Sequence, residues 1–417
     1  MSKLLIRGGN RLDGKITVGG AKNAILPLLA ATVLTKSKCV IHNCPSIADV
    51  NVSVRILKVL GCKVYRIKDT VFIDSSSANC CVVPEELMRE MRSSIVFLGA
   101  IACRFGNAVM SSPGGCELGP RPIDIHLSSL KKMGMKICEK NGLLYCDASS
   151  PKGCEITLAI PSVGATENIM LAAVLAQGRT IIVNAAKEPE ISELGDFLRK
   201  CGAKISGHGT SKIVIDGVCR LHGCEYTTMT DRIVTETYMC ATAVAGGNVF
   251  LENAVKEHTN AVISCLEEAG CVFEYYSDGI SVTCNRRTKS LGRIDTMYYP
   301  GFPTDAGSPL LAVMSVSEGT SMLVENIFEN RFRVVDELKR MGADITVSGK
   351  VAMVRGVEGL HGANVYSTDL RAGAGLVIAG LAADGVTQIG GLEYIDRGYE
   401  SIENDLLSVG AEIKRID

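Results

Sequence analysis

PEISELGDFLRKCGAKI, Pro189–Ile205, is the stretch that decides how this chain folds. Ile191, Leu194, Phe197, Leu198 and Cys201 recur at spacings of three and four, the period of a helix with one apolar face. Gly202 follows where a helix ends best on a left-handed residue, and the alternation from Ala203 to Ile205 starts a strand. The closing five residues recur through the chain: LGCKV at Leu60, MGMKI at Met133, CGAKI at Cys201, AGCVF at Ala269, MGADI at Met341 and VGAEI at Val409. Their glycines are Gly61, Gly134, Gly202, Gly270, Gly342 and Gly410, spaced by 73, 68, 68, 72 and 68 residues. A period this regular is the mark of an internal repeat.

Upstream of each signature lies a second kind of helix, such as ATENIMLAAVLAQG (Ala165–Gly178), followed by a strand such as RTIIVNA (Arg179–Ala185). A helix apolar nearly all round belongs in the centre of a domain. The unit therefore reads as buried helix, strand, loop, amphipathic helix, strand, strand. Six units predict an α/β fold of two inside-out, barrel-like domains, each of three repeats with buried helices and surrounding sheets. The sixth unit stops at Asp417 without its last strand pair. LLIRGGNRLDGKITV (Leu4–Val18) supplies that pair, because it resembles IVIDGVCRLHGCEYT (Ile213–Thr227) and AMVRGVEGLHGANVY (Ala352–Tyr366). The expected domains are 21–229 and 1–20 with 230–417, crossed twice by the chain, with a cleft between them that can close.

The two longer intervals point to function, since insertions in equivalent loops are where chemistry is grafted onto a repeated scaffold. One holds SPGGCELGPRP (Ser112–Pro122), and the other holds TMYYPGFPTD (Thr296–Asp305). Composition sets the frame around them. Of 417 residues 47% are apolar, enough for large cores, and a formal net charge of -1 favours neither nucleic acid nor an acidic membrane. Lys3 to Thr17 alternates and carries charge, unlike a signal peptide, and the apolar run Ala24–Leu34 is interrupted by Pro27, so a cytosolic protein is expected. The 17 cysteines are scattered through apolar segments with no zinc-type pairing, and they read as reduced core residues except Cys116, which sits among loop formers.

Candidate functional residues fall at helix starts. Lys22 and Asn23, in GGAKNA, offer an anion a cation, an amide and free N–H groups. Arg92 begins a buried helix. The Cys116 loop leads through Arg121, Pro122, Ile123, Asp124 and Ile125 into the next one. Asp305 opens a helix in the fourth interval, Asp369 and Arg371 open one in the last repeat, and Arg397 lies in the loop after it. Arginine there suits a carboxylate or phosphate fork. His126 lacks the spacing of a metal site.

The motifs GGAKNA, SPGGCELGPRP, PSVGATENIM, YPGFPTD, TDLRAG and IDRGYE resemble, along the whole chain, the UDP-N-acetylglucosamine 1-carboxyvinyltransferase family. That resemblance implies transfer of enolpyruvyl from phosphoenolpyruvate to the 3-hydroxyl of UDP-N-acetylglucosamine with release of phosphate, the first committed step of peptidoglycan synthesis. It implies that Cys116 is the general acid at C3, able to form a covalent adduct and to be alkylated by an epoxide phosphonate such as fosfomycin. It places Asp305 to take the hydroxyl proton and Lys22, Arg121 and Arg397 around phosphate and carboxylate. Asn23, Arg92, Pro122, Ile123, Asp124, Ile125, Ser162, Val163, Gly164 and Ile327 match positions on the nucleotide sugar, with Asp369 and Arg371 completing the set. No cofactor or metal is implied; phosphoenolpyruvate and the nucleotide sugar are the expected partners, with no nucleic acid or membrane, and the protein is expected to act as a monomer. Two departures stand out. Ile160-Pro161 replaces a lysine common before SVGAT, and Ala306-Gly307-Ser308-Pro309 replaces MQAQ after YPGFPTD. A weakly active paralogue that binds the nucleotide sugar is one alternative. A 3-phosphoshikimate 1-carboxyvinyltransferase is the other, and the Cys116 loop argues against it.

Overall fold

The computed structural model describes residues 2–111 and 123–416. All six signature glycines have positive φ, between 89° at Gly134 and 104° at Gly270. Each closes its helix in the same way. In the third repeat Gly202 N donates to Arg199 O at 2.9 Å and Ala203 N reaches back to Leu198 O at 2.9 Å. In the fifth repeat Gly342 and Ala343 do the same to Lys339 and Leu338, at 3.0 and 3.1 Å. This pair of bonds satisfies carbonyls that a helix end leaves free, and the left-handed residue it requires is glycine at no steric cost.

The two helix types separate as their sequences require. Val163–Ala173 is buried at every residue from Ala165 to Ala173, whereas Pro189–Lys200 exposes one face and buries Ile191, Leu194, Phe197 and Leu198. The central helices Lys22–Thr32, Phe97–Phe105 and Val163–Ala173 carry one core, and Arg232–Ala245, Gly307–Val316 and Leu370–Ala382 carry the other. Ile25, Leu28 and Leu29 are fully buried, and each contributes roughly 1.5–3 kcal/mol. Pro27 does not interrupt its run, since the helix continues through it to Thr32. The substituted stretch after Asp305 also keeps its helix, with Pro309 in the first turn of Gly307–Val316, where a missing N–H costs nothing.

The described strands form seven sheets, one for each repeat and a two-stranded pair of Leu360–His361 with Ala383–Asp384. In the third repeat the order is Lys204–Ser206, Lys212–Asp216, Arg179–Val183 and Glu155–Thr157, the last pair parallel. In the first repeat the parallel edge is Glu225–Thr227, which comes from beyond the third repeat and pairs with Lys38–His42, Tyr226 opposite Ile41. The amino-terminal strands divide in the same manner. Lys3–Arg7 lies between Val386–Gly390 and Glu412–Ile416 in the sixth sheet, whereas Leu12–Thr17 forms the parallel edge of the fourth, against Gly247–Glu252. By backbone contacts the described residues form two compact units, 2–19 with 230–416, and 20–111 with 123–229. No described helix is long and apolar enough to cross a membrane.

The two long insertions differ in position. Residues 112–122 follow the strand Asn107–Ser111 and precede an outer helix, Asp124–Lys132. The second insertion follows Arg293–Asp295 and precedes the central helix Gly307–Val316. The sixth repeat departs in a third way, because its outer segment splits into Leu392–Ile395 and Ile402–Ser408 around the loop that carries Arg397. Of the described cysteines, Cys39, Cys201 and Cys240 are among those fully enclosed, and only Cys138 and Cys219 are exposed.

Candidate active site

In the unit formed by 20–111 and 123–229, Lys22 begins the central helix of the first repeat and its Nζ lies 2.7 Å from Asp49 Oδ2. Both side chains are nearly enclosed, 10% and 2% exposed, so the ion pair fixes the ammonium in place. Asp49 sits in the first turn of the outer helix Ala48–Val59. A side chain at Gly20 is impossible, since its Cβ would lie 1.7 Å from Asn43 O, and this close approach brings the two helix starts together. Asn23 follows in the same first turn, half-buried.

Three further segments are tied by one buried pair. Asn168, on the central helix Val163–Ala173, donates to Ile95 O at 2.9 Å and to His126 Nδ1 at 2.8 Å, and its Oδ1 accepts from Gly99 N at 2.8 Å. Arg92 starts the 3-10 turn that contains Ile95, His126 lies in the helix that Ile123 and Asp124 begin, and Ser162 caps the helix of Asn168 by accepting from Ala165 N at 3.4 Å. Accepting from an amide fixes His126 as the neutral Nε2–H tautomer. Burial, reinforced by the charge of Arg92, pushes its pKa down to about 4. Gly164 has no room for a side chain, because a Cβ would come within 2.9 Å of the His126 ring. Arg92, Ile123, Asp124, Ile125, Ser162, Val163 and Gly164 are thus brought to one framework, which His126 and Asn168 hold. His126 has no metal-type spacing around it, and its role as a clamp comes only from the fold.

The same unit holds acidic residues that the motifs did not single out. Glu167, Glu188 and Glu190 are all buried, and burial followed by the charges of Glu190 and Glu188 pushes the Glu167 carboxyl well above its ordinary range. Glu193 accepts from Met229 N at 2.8 Å, and burial pushes its pKa from 4.5 up to about 7 despite that bond. A raised carboxyl means that the folded state holds a proton the unfolded chain has released. Stability from Glu193 is therefore complete below pH 4.5 and is lost as the pH rises through about 7. Thermal unfolding should fall by a few degrees between pH 5 and 8, and Glu193→Gln should flatten that slope while its amide oxygen keeps the Met229 bond. An unchanged slope in the variant would remove Glu193 as the cause.

In the unit formed by 2–19 and 230–416, the polar residues gather at the starts of the three central helices. Asp231 caps Arg232–Ala245 by accepting from Ile233 N and Val234 N at 2.8 and 3.0 Å. Asp369 caps Leu370–Ala382 by accepting from Arg371 N and Ala372 N at 2.9 and 3.1 Å. Asp305 lies in the 3-10 turn before Gly307–Val316, and its Oδ1 accepts from Arg371 Nε at 2.9 Å and from Arg331 Nη2 at 3.2 Å. Burial alone would raise the Asp305 carboxyl, but Arg371 and then Arg331 outweigh it and hold the carboxyl well below the usual carboxylate range. Its side chain keeps 29% of its surface open, against 7% for Arg371 and 2% for Arg331, so the carboxylate is the member of the cluster that a ligand can reach.

Arg331, absent from the motif reading, is the hub of this cluster. Its Nη1 stands 3.8 Å from Asp369 Oδ1, its Nε donates to Thr304 Oγ1 at 3.2 Å, and its guanidinium lies over the Phe328 ring. Glu325 joins the next segment: one oxygen accepts from Thr304 Oγ1 at 2.9 Å and the other from the N–H groups of Ile327 and Phe328, at 2.7 and 2.9 Å. Ile327 is held beside the Asp305 turn in this way. Arg397 lies after Leu392–Ile395, and two residues on Tyr399 is hydrogen-bonded to Thr237 at 2.7 Å and to Arg371. The structure therefore brings Asp305, Ile327, Asp369 and Arg371 together, with the Arg397 loop tied to them through Tyr399. Cys116, Arg121 and Pro122 lie outside the described residues.

The family profile described as EPSP synthase (3-phosphoshikimate 1-carboxyvinyltransferase) matches residues 6–406. The chain is 52% identical over 416 residues, all of both chains, to UDP-N-acetylglucosamine 1-carboxyvinyltransferase 2 of Caldanaerobacter subterraneus. It is 46% identical over 417 residues to UDP-N-acetylglucosamine 1-carboxyvinyltransferase 1 of Carboxydothermus hydrogenoformans, covering 100% of this chain and 99% of that one. The crystal structure of the enolpyruvyl transferase NikO from Streptomyces tendae shares the fold, with a TM-score of 0.90 at 23% identity over 99% and 98% of the two chains.

Proposed function

The chain belongs to the UDP-N-acetylglucosamine 1-carboxyvinyltransferase family, and from that premise we propose that it moves enolpyruvyl from phosphoenolpyruvate to the 3-hydroxyl of UDP-N-acetylglucosamine, releasing phosphate. Identity of 52% along the full length to a relative so named carries this reading. It favours the nucleotide sugar over 3-phosphoshikimate, although the matching family profile is described as EPSP synthase.

The residues divide the work by their chemistry. Cys116 protonates C3 of phosphoenolpyruvate while the sugar hydroxyl attacks C2, and the elimination step takes the C3 proton back as phosphate leaves. Asp305 orients the hydroxyl and accepts its proton. A carboxylate held low by Arg371 and Arg331 is a weak base at rest, so the proton passes to it only as the new C–O bond forms and the hydroxyl turns acidic. Lys22, Arg121 and Arg397 face the phosphate and carboxylate, where fixed cations stabilise developing charge better than water does. Asn23, Arg92, Pro122, Ile123, Asp124, Ile125, Ser162, Val163, Gly164 and Ile327 hold the nucleotide sugar, and Asp369 positions Arg371. We place the protein in the cytoplasm as a monomer.

The deciding experiment is phosphate release from phosphoenolpyruvate with and without UDP-N-acetylglucosamine. Release that depends on the nucleotide sugar is expected. Well-folded protein that releases none would leave the weakly active paralogue, and release that depends instead on shikimate 3-phosphate would transfer the chain to the other reaction.

A further inference from the structure

Arg415 lies on Glu412–Ile416, the edge strand of the sixth sheet, opposite Leu4. Side chains alternate along a strand, so Arg415 shares the face of Ile413, which is 5% exposed and turned to the core. Arg415 itself stays largely open to solvent, its side chain 31% exposed. It reaches the loop between Leu392–Ile395 and Ile402–Ser408. Nη1 and Nη2 donate to the two oxygens of Asp396 at 3.0 and 2.8 Å. Nε and Nη2 donate to the two oxygens of Glu403 at 2.7 and 3.3 Å. One planar fork thus grips both ends of the segment 396–403, and only arginine can make two such pairs at once. Arg397 follows directly on the gripped Asp396, and Tyr399 pins the inner side of the same segment through Thr237.

The internal repeat supplies an independent comparison. Arg415 stands five residues beyond the signature glycine Gly410, and the matching residue in the first repeat, five beyond Gly61, is Arg66. Arg66 also grips the loop ahead of its outer helix: Nη1 donates to Pro45 O at 3.2 Å and Nη2 to Cys44 O, while Nε donates to Lys68 O at 2.6 Å in the turn after its own strand. That loop leads into the turn of Asp49, the partner of Lys22. The other four repeats place Glu139, Gly207, Tyr275 and Val347 there. An arginine at this register therefore occurs in two of the six repeats, and the second repeat, whose loop carries Arg121, has Glu139 there instead.

We propose that Arg415 is a positioning residue that sets where Arg397 stands, and hence how phosphoenolpyruvate is held. The inference rests on the proposed role of Arg397 and is tested alongside it. Arg415→Met should raise the KM for phosphoenolpyruvate about ten-fold or more, because small misplacement of a binding group is costly. The KM for UDP-N-acetylglucosamine should stay within about two-fold. Arg415→Lys should recover part of the loss, and Asp396→Asn, which alters one carboxylate only, should shift the same constant in the same direction if Arg415→Met folds poorly. Arg397→Ala combined with Arg415→Met should be no worse than Arg397→Ala alone. An unchanged KM for phosphoenolpyruvate in both Arg415→Met and Asp396→Asn would overturn the inference, as would equal rises in both KM values together with a lowered melting temperature. Arg397→Ala that leaves phosphoenolpyruvate binding unchanged would instead overturn the role of Arg397.

Discussion

Asp305→Asn is expected to lower kcat by about 10²–10⁴-fold, the range that a positioned acid or base supplies. The amide keeps the shape of the side chain but takes no proton and no longer balances Arg371 and Arg331, which stand at 2.9 and 3.2 Å. Those guanidinium groups are nearly enclosed, and an enclosed charge that loses its partner costs about 3–5 kcal/mol. The variant should therefore also melt earlier, and comparison with Asp369→Asn, which touches the same arginine network without supplying a base, separates the two effects. Equal loss of stability with far smaller loss of kcat in Asp369→Asn is the expected result. Equal loss of kcat in both would make Asp305 a structural anion only. The pH dependence has a definite sign. A carboxyl depressed in the folded state stabilises fully above its ordinary value of 3.8, and the contribution is lost only as the pH falls below that. Asp305 should accordingly add no limb to the rate profile of the free enzyme between pH 5 and 8.

Cys116→Asp should keep measurable turnover and escape alkylation by an epoxide phosphonate, whereas Cys116→Ala should lose about 10²–10⁴-fold in kcat. An ordinary thiol, with a pKa of about 8.5, is mostly protonated at neutral pH and can serve as an acid. A carboxylic acid can do the same work without being a soft nucleophile. Intact mass of the wild-type protein should show one adduct, and peptide mapping should place it at Cys116. The exposed thiols of Cys138 and Cys219 are the internal control, because adducts there would report exposure and not activation. A Cys116→Asp variant that binds both substrates yet turns over neither would replace the acid role by one that needs the thiol itself.

Both results depend on residues that a linear reading found with very different ease. Lys22, Cys116, Asp305 and Arg397 stood out because each sits in a loop or helix start that breaks the repeat, and such breaks are local patterns. Arg331, Asp49, Asn168 and Arg415 did not stand out. Arg331 lies 26 residues from Asp305, and Asn168 lies 42 from His126. A partner at that distance leaves no periodic trace, and a buried arginine has the same letter as a solvated one.

The repeat, the two classes of helix and the glycine that ends each outer helix are written in the order of the residues. These follow from side-chain periodicity and from the φ angle one residue must adopt, both properties of a few neighbouring positions. Which strand completes which sheet emerges only on folding. Lys3–Arg7 and Leu12–Thr17 adjoin in the chain yet serve the sixth and fourth repeats, and Glu225–Thr227 returns to the first. Folding alone, too, holds Asp305 as an anion between two arginines. Strand partners and ion pairs are chosen by long-range packing, where burial makes an unpaired backbone group or charge costly enough to select one arrangement.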